Sequence, residues 1–159
     1  MKIGEALVEK KKFQSRLAKC NDLLQKSYYY KKEKPDFSYK KLREEIDDIT
    51  KKIRKLKIDI QYTNMTETVP YKGKNITLAE LIILIGDIRA EIATIGNLYQ
   101  NMDQYSFMDE NTTIMKSQVP PEEIEENIKA LNQEKSELDA LLQHTNWTVN
   151  LTSFTGSSP

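Results

Sequence analysis

Histidine and cysteine, two residue types often used for catalysis, each occur once in this chain, and its many carboxylates are poorly placed for acid/base work. His144 is the single histidine, and Asp139 sits too far round a helix to share a metal ion with it. Cys20 is the single cysteine, so neither an intrachain disulfide nor a cysteine metal cluster can form. Its place on an apolar stripe predicts a buried, inert thiol. No glycine-rich phosphate loop, His-Glu-x-x-His or Gly-x-Ser-x-Gly motif is present. Glu122-Glu123 and Glu125-Glu126 read as a solvated helix face rather than an acid/base pair. Lys10 and Lys135 interrupt apolar stripes, where they are expected to snorkel to the edge or to fix register by meeting an acid such as Asp87. These observations predict a protein that is not an enzyme, with no catalytic residue, metal site or cofactor.

Binding chemistry is better represented. Lys31, Lys32, Lys34, Lys40, Lys41 and Arg43 lie beside Tyr28-Tyr29-Tyr30, and basic residues next to aromatic rings are the means by which single-stranded nucleic acid is held. The net charge is zero but unevenly placed. Residues 1–75 contain 20 Lys/Arg against 11 Asp/Glu, whereas residues 76–159 contain 4 against 13. Halves of opposite sign attract each other, within a chain or between chains, and the acidic half would repel phosphate. Nucleic-acid binding is therefore the alternative and not the favoured reading.

The elements that position these residues follow from spacing. Ile3, Ala6, Lys10, Phe13, Leu17, Cys20 and Leu24 alternate intervals of three and four, predicting a first helix from about Lys2 to Lys26. Pro35 marks a break, and Ser38 is a good N-cap for a second helix. Its narrow stripe is Tyr39, Leu42, Ile46, Ile49, Ile53, Leu56, Ile60 and Thr63. Thr68-Val69 has strand character, and Lys72-Gly73-Lys74-Asn75 supplies a turn. Thr77-Leu78-Ala79-Glu80 fits the capping box that starts a third helix, expected to reach about Asn101. That helix is apolar nearly all round, with Ile82, Ile83, Leu84 and Leu98 beyond its stripe, so it should be covered on several sides. Gly86 and Gly96 mark places where a neighbouring helix could come close. Residues 102–120 read as irregular, with Thr112-Thr113-Ile114-Met115 strand-like. Pro121 then opens a fourth helix with Glu122 and Glu123 at its positive end.

Two stretches echo each other. Gln61-Tyr62-Thr63-Asn64-Met65-Thr66 and Gln143-His144-Thr145-Asn146-Trp147-Thr148 agree at four of six positions, 82 residues apart. Asn enters the left-handed backbone region cheaply, so Asn64 and Asn146 suit the position just past a helix end. Asn64, Thr66, Asn146, Trp147 and Thr148 are accordingly read as corners, with Met65 and Trp147 tucked under the last turns. The third helix overlays the first at an offset of 75, and the fourth overlays the second at 82. The expected fold class is all-α: four long helices, as two tandem helical hairpins, forming a bundle or coiled coil with short β pieces at one pole. A single domain over residues 1–151, pseudo-repeated as 1–76 and 77–151, precedes a polar tail expected to be disordered.

Met1-Lys2-Ile3 with Glu5-Ala6-Leu7, Thr63-Asn64 leading to Thr77-Leu78-Ala79-Glu80-Leu81, and Asn146-Trp147-Thr148 together resemble the small bacterial proteins labelled septicolysin-like. The resemblance spans about residues 1–151 and implies a helical chain of largely uncharacterised kind. The label implies haemolysin-like membrane activity, and no catalytic residue is carried over. The residues themselves argue against membrane insertion, since the longest apolar run is Leu81-Ile82-Ile83-Leu84-Ile85. Charge appears too early in the sequence for a signal peptide, so a cytoplasmic location is expected. On that reading the five Asn-x-Thr sequons, at Asn64, Asn75, Asn111, Asn146 and Asn150, are coincidences of composition. The function expected from the residues is self-assembly or protein–protein interaction, with a homo-oligomer as the expected product.

Overall fold

A computed structural model describes residues 1–30, 38–106 and 118–156, the stretch 99–106 by its backbone alone. Among these residues the elements run α1 (Ile3–Ser27), α2 (Tyr39–Thr66), β1 (Thr68–Tyr71), β2 (Lys74–Thr77), α3 (Leu78–Ser106) and α4 (Pro121–Thr148). The protein is mostly helical, as the heptad spacing predicts, with one small two-stranded antiparallel sheet. The strand expected at residues 112–115 lies outside the described residues, as do Lys31, Lys32 and Lys34. Helix α3 continues past Asn101 to Ser106, because no Gly or Pro after Gly96 stops it.

The chain divides into two compact units, Met1–Thr68 with Thr145–Pro159, and Val69–His144. In the first unit the narrow stripe of α2 is buried from Leu42 through Ile46, Ile49, Ile53, Leu56 and Ile60 to Thr63, while Tyr39 at its head is exposed. Cys20 joins Ile46, Ile49 and Ile53 in one cluster, with Phe13, Leu17 and Leu24 packed against it. Ala6, Leu56 and Ile60 form a second cluster, covered by Leu7, Phe13 and Leu151. Early α1 thus meets late α2 and late α1 meets early α2, the pattern of an antiparallel hairpin. Each buried Leu or Ile stabilises it by about 1.5–3 kcal/mol. Arg16 reaches across to Glu45 at 2.6 Å on the surface of this pair.

In the second unit Lys72 and Gly73 join the strands with φ of 45° and 79°. Two left-handed residues make the tight hairpin turn whose twist matches the strands. Gly adopts this backbone freely, whereas Lys72 does so against its Cβ. Leu78, Leu81, Ile85 and Ile88 are buried along α3, as are Ile124 and Leu138 on α4. Asp139 of α4 accepts Arg89 of α3 at 2.9 Å and Lys135 of its own helix at 3.1 Å. Lys135 therefore finds its acid one turn along α4 rather than at Asp87. These cations hold the Asp139 carboxyl below its ordinary value, Lys135 first and Arg89 next among the lowering causes.

Candidate interaction surfaces

Within the first unit the end of α2 meets the segment that follows α4, but neither Asn64 nor Asn146 makes a bend. Lys72 is the only non-glycine residue with positive φ among those described, and α2 and α4 each run two residues beyond Asn64 and Asn146. Threonine closes the helices instead. The Thr66 hydroxyl donates to the carbonyls of Tyr62 (3.0 Å) and Thr63 (3.3 Å), and the Thr148 hydroxyl donates to that of Thr145 (3.3 Å). The amides of Glu67 and Val149 then donate to Thr63 and Thr145, each at 2.9 Å. These bonds satisfy carbonyls the last turn would otherwise leave without a partner.

Past α4 the chain pairs with its own beginning. The Ile3 amide donates to the Val149 carbonyl (3.2 Å) and the Leu151 amide to the Met1 carbonyl (2.8 Å), around an antiparallel bridge between Lys2 and Asn150. Lys2 Nζ adds a bond of 2.5 Å to the Thr148 carbonyl. The buried Thr63 hydroxyl accepts the Thr152 amide at 2.9 Å and donates to the Asp59 carbonyl at 2.8 Å. Trp147 is not tucked away; it stays 55% exposed. Its indole lies against Gly4, where an added Cβ would stand 2.8 Å from the ring. Met65 is likewise exposed. Met1, Val8, Phe13 and Trp147 floor a groove of about 660 Å³, with Glu5, Glu9 and Lys12 also lining it.

The second unit presents a different surface. Thr77 and Glu80 exchange bonds at the head of α3: the Thr77 amide donates to the Glu80 carboxylate at 2.7 Å, and the Glu80 amide donates to the Thr77 hydroxyl at 3.1 Å. These bonds hold the Glu80 carboxyl below its ordinary value, the Thr77 amide contributing most. Further along α3, Ile82 is 42% and Ile83 62% exposed. The space over Gly86 is open, with no heavy atom beyond its own helix backbone and chain neighbours within 4 Å of where a Cβ would stand. Leu98 is exposed as well. At the hairpin turn, the Tyr71 hydroxyl and Lys72 Nζ (2.6 Å) both donate to Glu134 of α4. Lys72 also lies over the Tyr71 ring, 5.1 Å from its centre. The Glu134 bond, first, and Tyr71 push the Lys72 pKa up, so its ammonium is held charged and is no nucleophile.

Lys40, Lys41 and Arg43 are exposed on the first turns of α2, where Arg43 approaches Asp47 at 4.0 Å. Cys20 is buried, and burial raises its pKa, which keeps the thiol protonated. Among the described residues no group of three His, Cys, Asp or Glu side chains is placed to hold a metal ion, and no helix is long and apolar enough to cross a membrane.

The profile of DUF6847, a family of unknown function, matches residues 10–151. The chain belongs to this family. That finding corrects the expected kinship with septicolysin-like proteins and withdraws the haemolysin label drawn from it. The motifs that suggested it are three or four residues long, and each is a helix start or helix end that many helical chains need. None of the curated proteins matches the chain. Its fold is similar to that of a functionally unknown conserved protein from Corynebacterium diphtheriae, known from a crystal structure. The two are 19% identical with a TM-score of 0.81, covering 96% of this chain and 99% of the other. At that identity the likeness speaks to fold alone. Sequence reasoning does not find the Tyr71–Lys72–Glu134 cluster, whose members lie about sixty residues apart, nor the seating of Trp147 on Gly4. A glycine in the first turn of an otherwise regular helix is the one signal that points to the latter.

Proposed function

We propose that this DUF6847 protein is a non-enzymatic helical-bundle protein that works by self-assembly, with the uncovered face of α3 as its contact. The observation that carries this reading is the pair Ile82 and Ile83, exposed beside an open Gly86. A β-branched pair next to a residue without a side chain lets a second helix approach closely and bury aliphatic surface that water now covers. The uneven charge supports association between copies. Residues 1–68 hold 18 Lys/Arg against 11 Asp/Glu, while residues 69–144 hold 6 against 13 and residues 145–159 hold none. Opposite-sign units steer copies together and fix their order. Sedimentation equilibrium tests the proposal. The wild type is expected above its monomer mass of 18.5 kDa, and Ile83→Glu is expected to return it to that mass with its helical circular dichroism intact. A wild type that stays at the monomer mass from nanomolar to high micromolar concentration overturns it.

A further inference from the structure

Along the second half of α2 the exposed face carries Lys51, Arg54, Lys55 and Ile58, and Phe154 folds back over it. Together with Asp59 these residues line a cleft of about 220 Å³ within the first unit. Asp59 fixes its walls. The residue is 3% exposed; one carboxylate oxygen accepts the Phe154 amide at 2.9 Å and the other meets Lys55 Nζ at 3.2 Å. Residue 154 falls in the stretch that sequence alone reads as a free tail, yet its ring rests against Tyr62, 5.3 Å between centres. Lys55 is therefore matched by Asp59, whereas Lys51 and Arg54 have no carboxylate partner among the described residues. The lining keeps an excess of two positive charges beside an apolar floor of Ile58 and Phe154.

The sequence on either side limits what can fill it. One turn and two turns upstream on the same face stand Asp47 and Glu44, which would repel a phosphodiester backbone continuing past Lys51. Downstream the face turns apolar, through Ile58 and Tyr62 to Met65. The cationic stretch is one helical turn long, with all its apolar surface on one side. A polyanion does not fit this arrangement. We infer that the cleft between α2 and residue 154 binds a small amphiphilic anion, its phosphate or carboxylate head on Lys51 and Arg54 and its apolar body on Ile58, Phe154 and Tyr62. A guanidinium and an ammonium supply charge-assisted hydrogen bonds to the head, and ring and aliphatic contacts hold the body.

Calorimetric titration of the full chain with octyl phosphate, below its micelle concentration, tests this. Saturable binding at one site is expected. The Lys51→Ala/Arg54→Ala pair and Phe154→Ala should each weaken it by about tenfold or more, while Lys40→Ala/Lys41→Ala leaves it unchanged. Inorganic phosphate and octanol, head and body alone, should each bind far more weakly. The inference is overturned by the absence of saturation, by affinity indifferent to both the cationic pair and Phe154, or by inorganic phosphate binding as well as the full amphiphile. Binding to phosphatidylglycerol vesicles without binding of soluble octyl phosphate overturns it too, since the patch would then be a membrane-surface contact. All variants here are at exposed positions, and unchanged helical circular dichroism confirms that they fold.

Discussion

The junction between α2 and α3 and the junction between α4 and α1 solve one problem with different materials. In both, a helix ends on a Thr that bonds back to its own carbonyls, a short extended segment pairs antiparallel with another, and the second segment starts a helix under a Glu. The Glu80 carboxylate takes the Thr77 amide at 2.7 Å, and the Glu5 carboxylate takes the Lys2 amide at the same distance. The first junction is covalently continuous through Lys72 and Gly73; the second brings together Met1–Lys2 and Val149–Leu151 from opposite ends of the sequence. Where Thr77 supplies a hydroxyl, Lys2 supplies an ammonium that crosses to Thr148. The continuous junction is stabilised by local bonds and by the reach of Tyr71 and Lys72 to Glu134. The discontinuous one relies on packing and on bonds between the two ends of the chain.

The largest losses come from apolar residues that both junctions need. Ile3→Ala and Leu78→Ala, at the two equivalent and fully buried helix starts, should each cost about 2–5 kcal/mol in urea denaturation. A cost well under that at Ile3 alone would break the equivalence. Gly4→Val should cost about 1–3 kcal/mol by lifting the indole. Trp147 is the only tryptophan, so its emission reports the event directly; an unshifted spectrum would sink the argument. At the equivalent position Ala79 already carries a Cβ. Thr77→Ala should cost about 1 kcal/mol through the lost cap, and Lys2→Ala less, because Lys2 offers the helix no hydroxyl.

The smallest effect is one of pH. Glu80 and Glu134 titrate lower in the folded protein than in the unfolded chain, Glu80 through Thr77 and Glu134 through Lys72 and then Tyr71. The unfolded state therefore binds protons first as pH falls. The stabilisation is present above the ordinary carboxylate range and is lost as pH drops through the lowered folded values. Glu80→Gln should flatten the acid limb of the melting profile and leave its neutral plateau close to that of a Thr77→Ala protein. An acid limb as steep as the wild type's would remove this assignment.

The helices were legible because their evidence is local and periodic: the α2 stripe from Leu42 to Thr63 is buried along its whole length. The start of α3 at Leu78 was legible for the same reason, a hydroxyl and a carboxylate at fixed spacing. The Asn corners were misread because tolerance of left-handed backbone permits a bend without requiring one. Thr66 and Thr148 carry the helices onward by bonding to carbonyls already in reach. The pairing of Leu151 with Met1, the docking of Phe154 on Asp59 and the meeting of Lys72 with Glu134 were hidden from the sequence. Each joins residues far apart along the chain, and no periodicity connects them.

The bond from the Leu151 amide to the Met1 carbonyl has a kinetic consequence. Closing a loop of that length from a flexible chain carries an entropy cost of about 4 kcal/mol, far more than one hydrogen bond returns. The α1–α2 pair, whose contacts are nearer in sequence, can condense early, and the Met1–Leu151 strap can form only once its two ends have been carried together. Refolding should therefore regain most of its ellipticity before Trp147 settles on Gly4, so that the lag between the two signals times the closing of the strap.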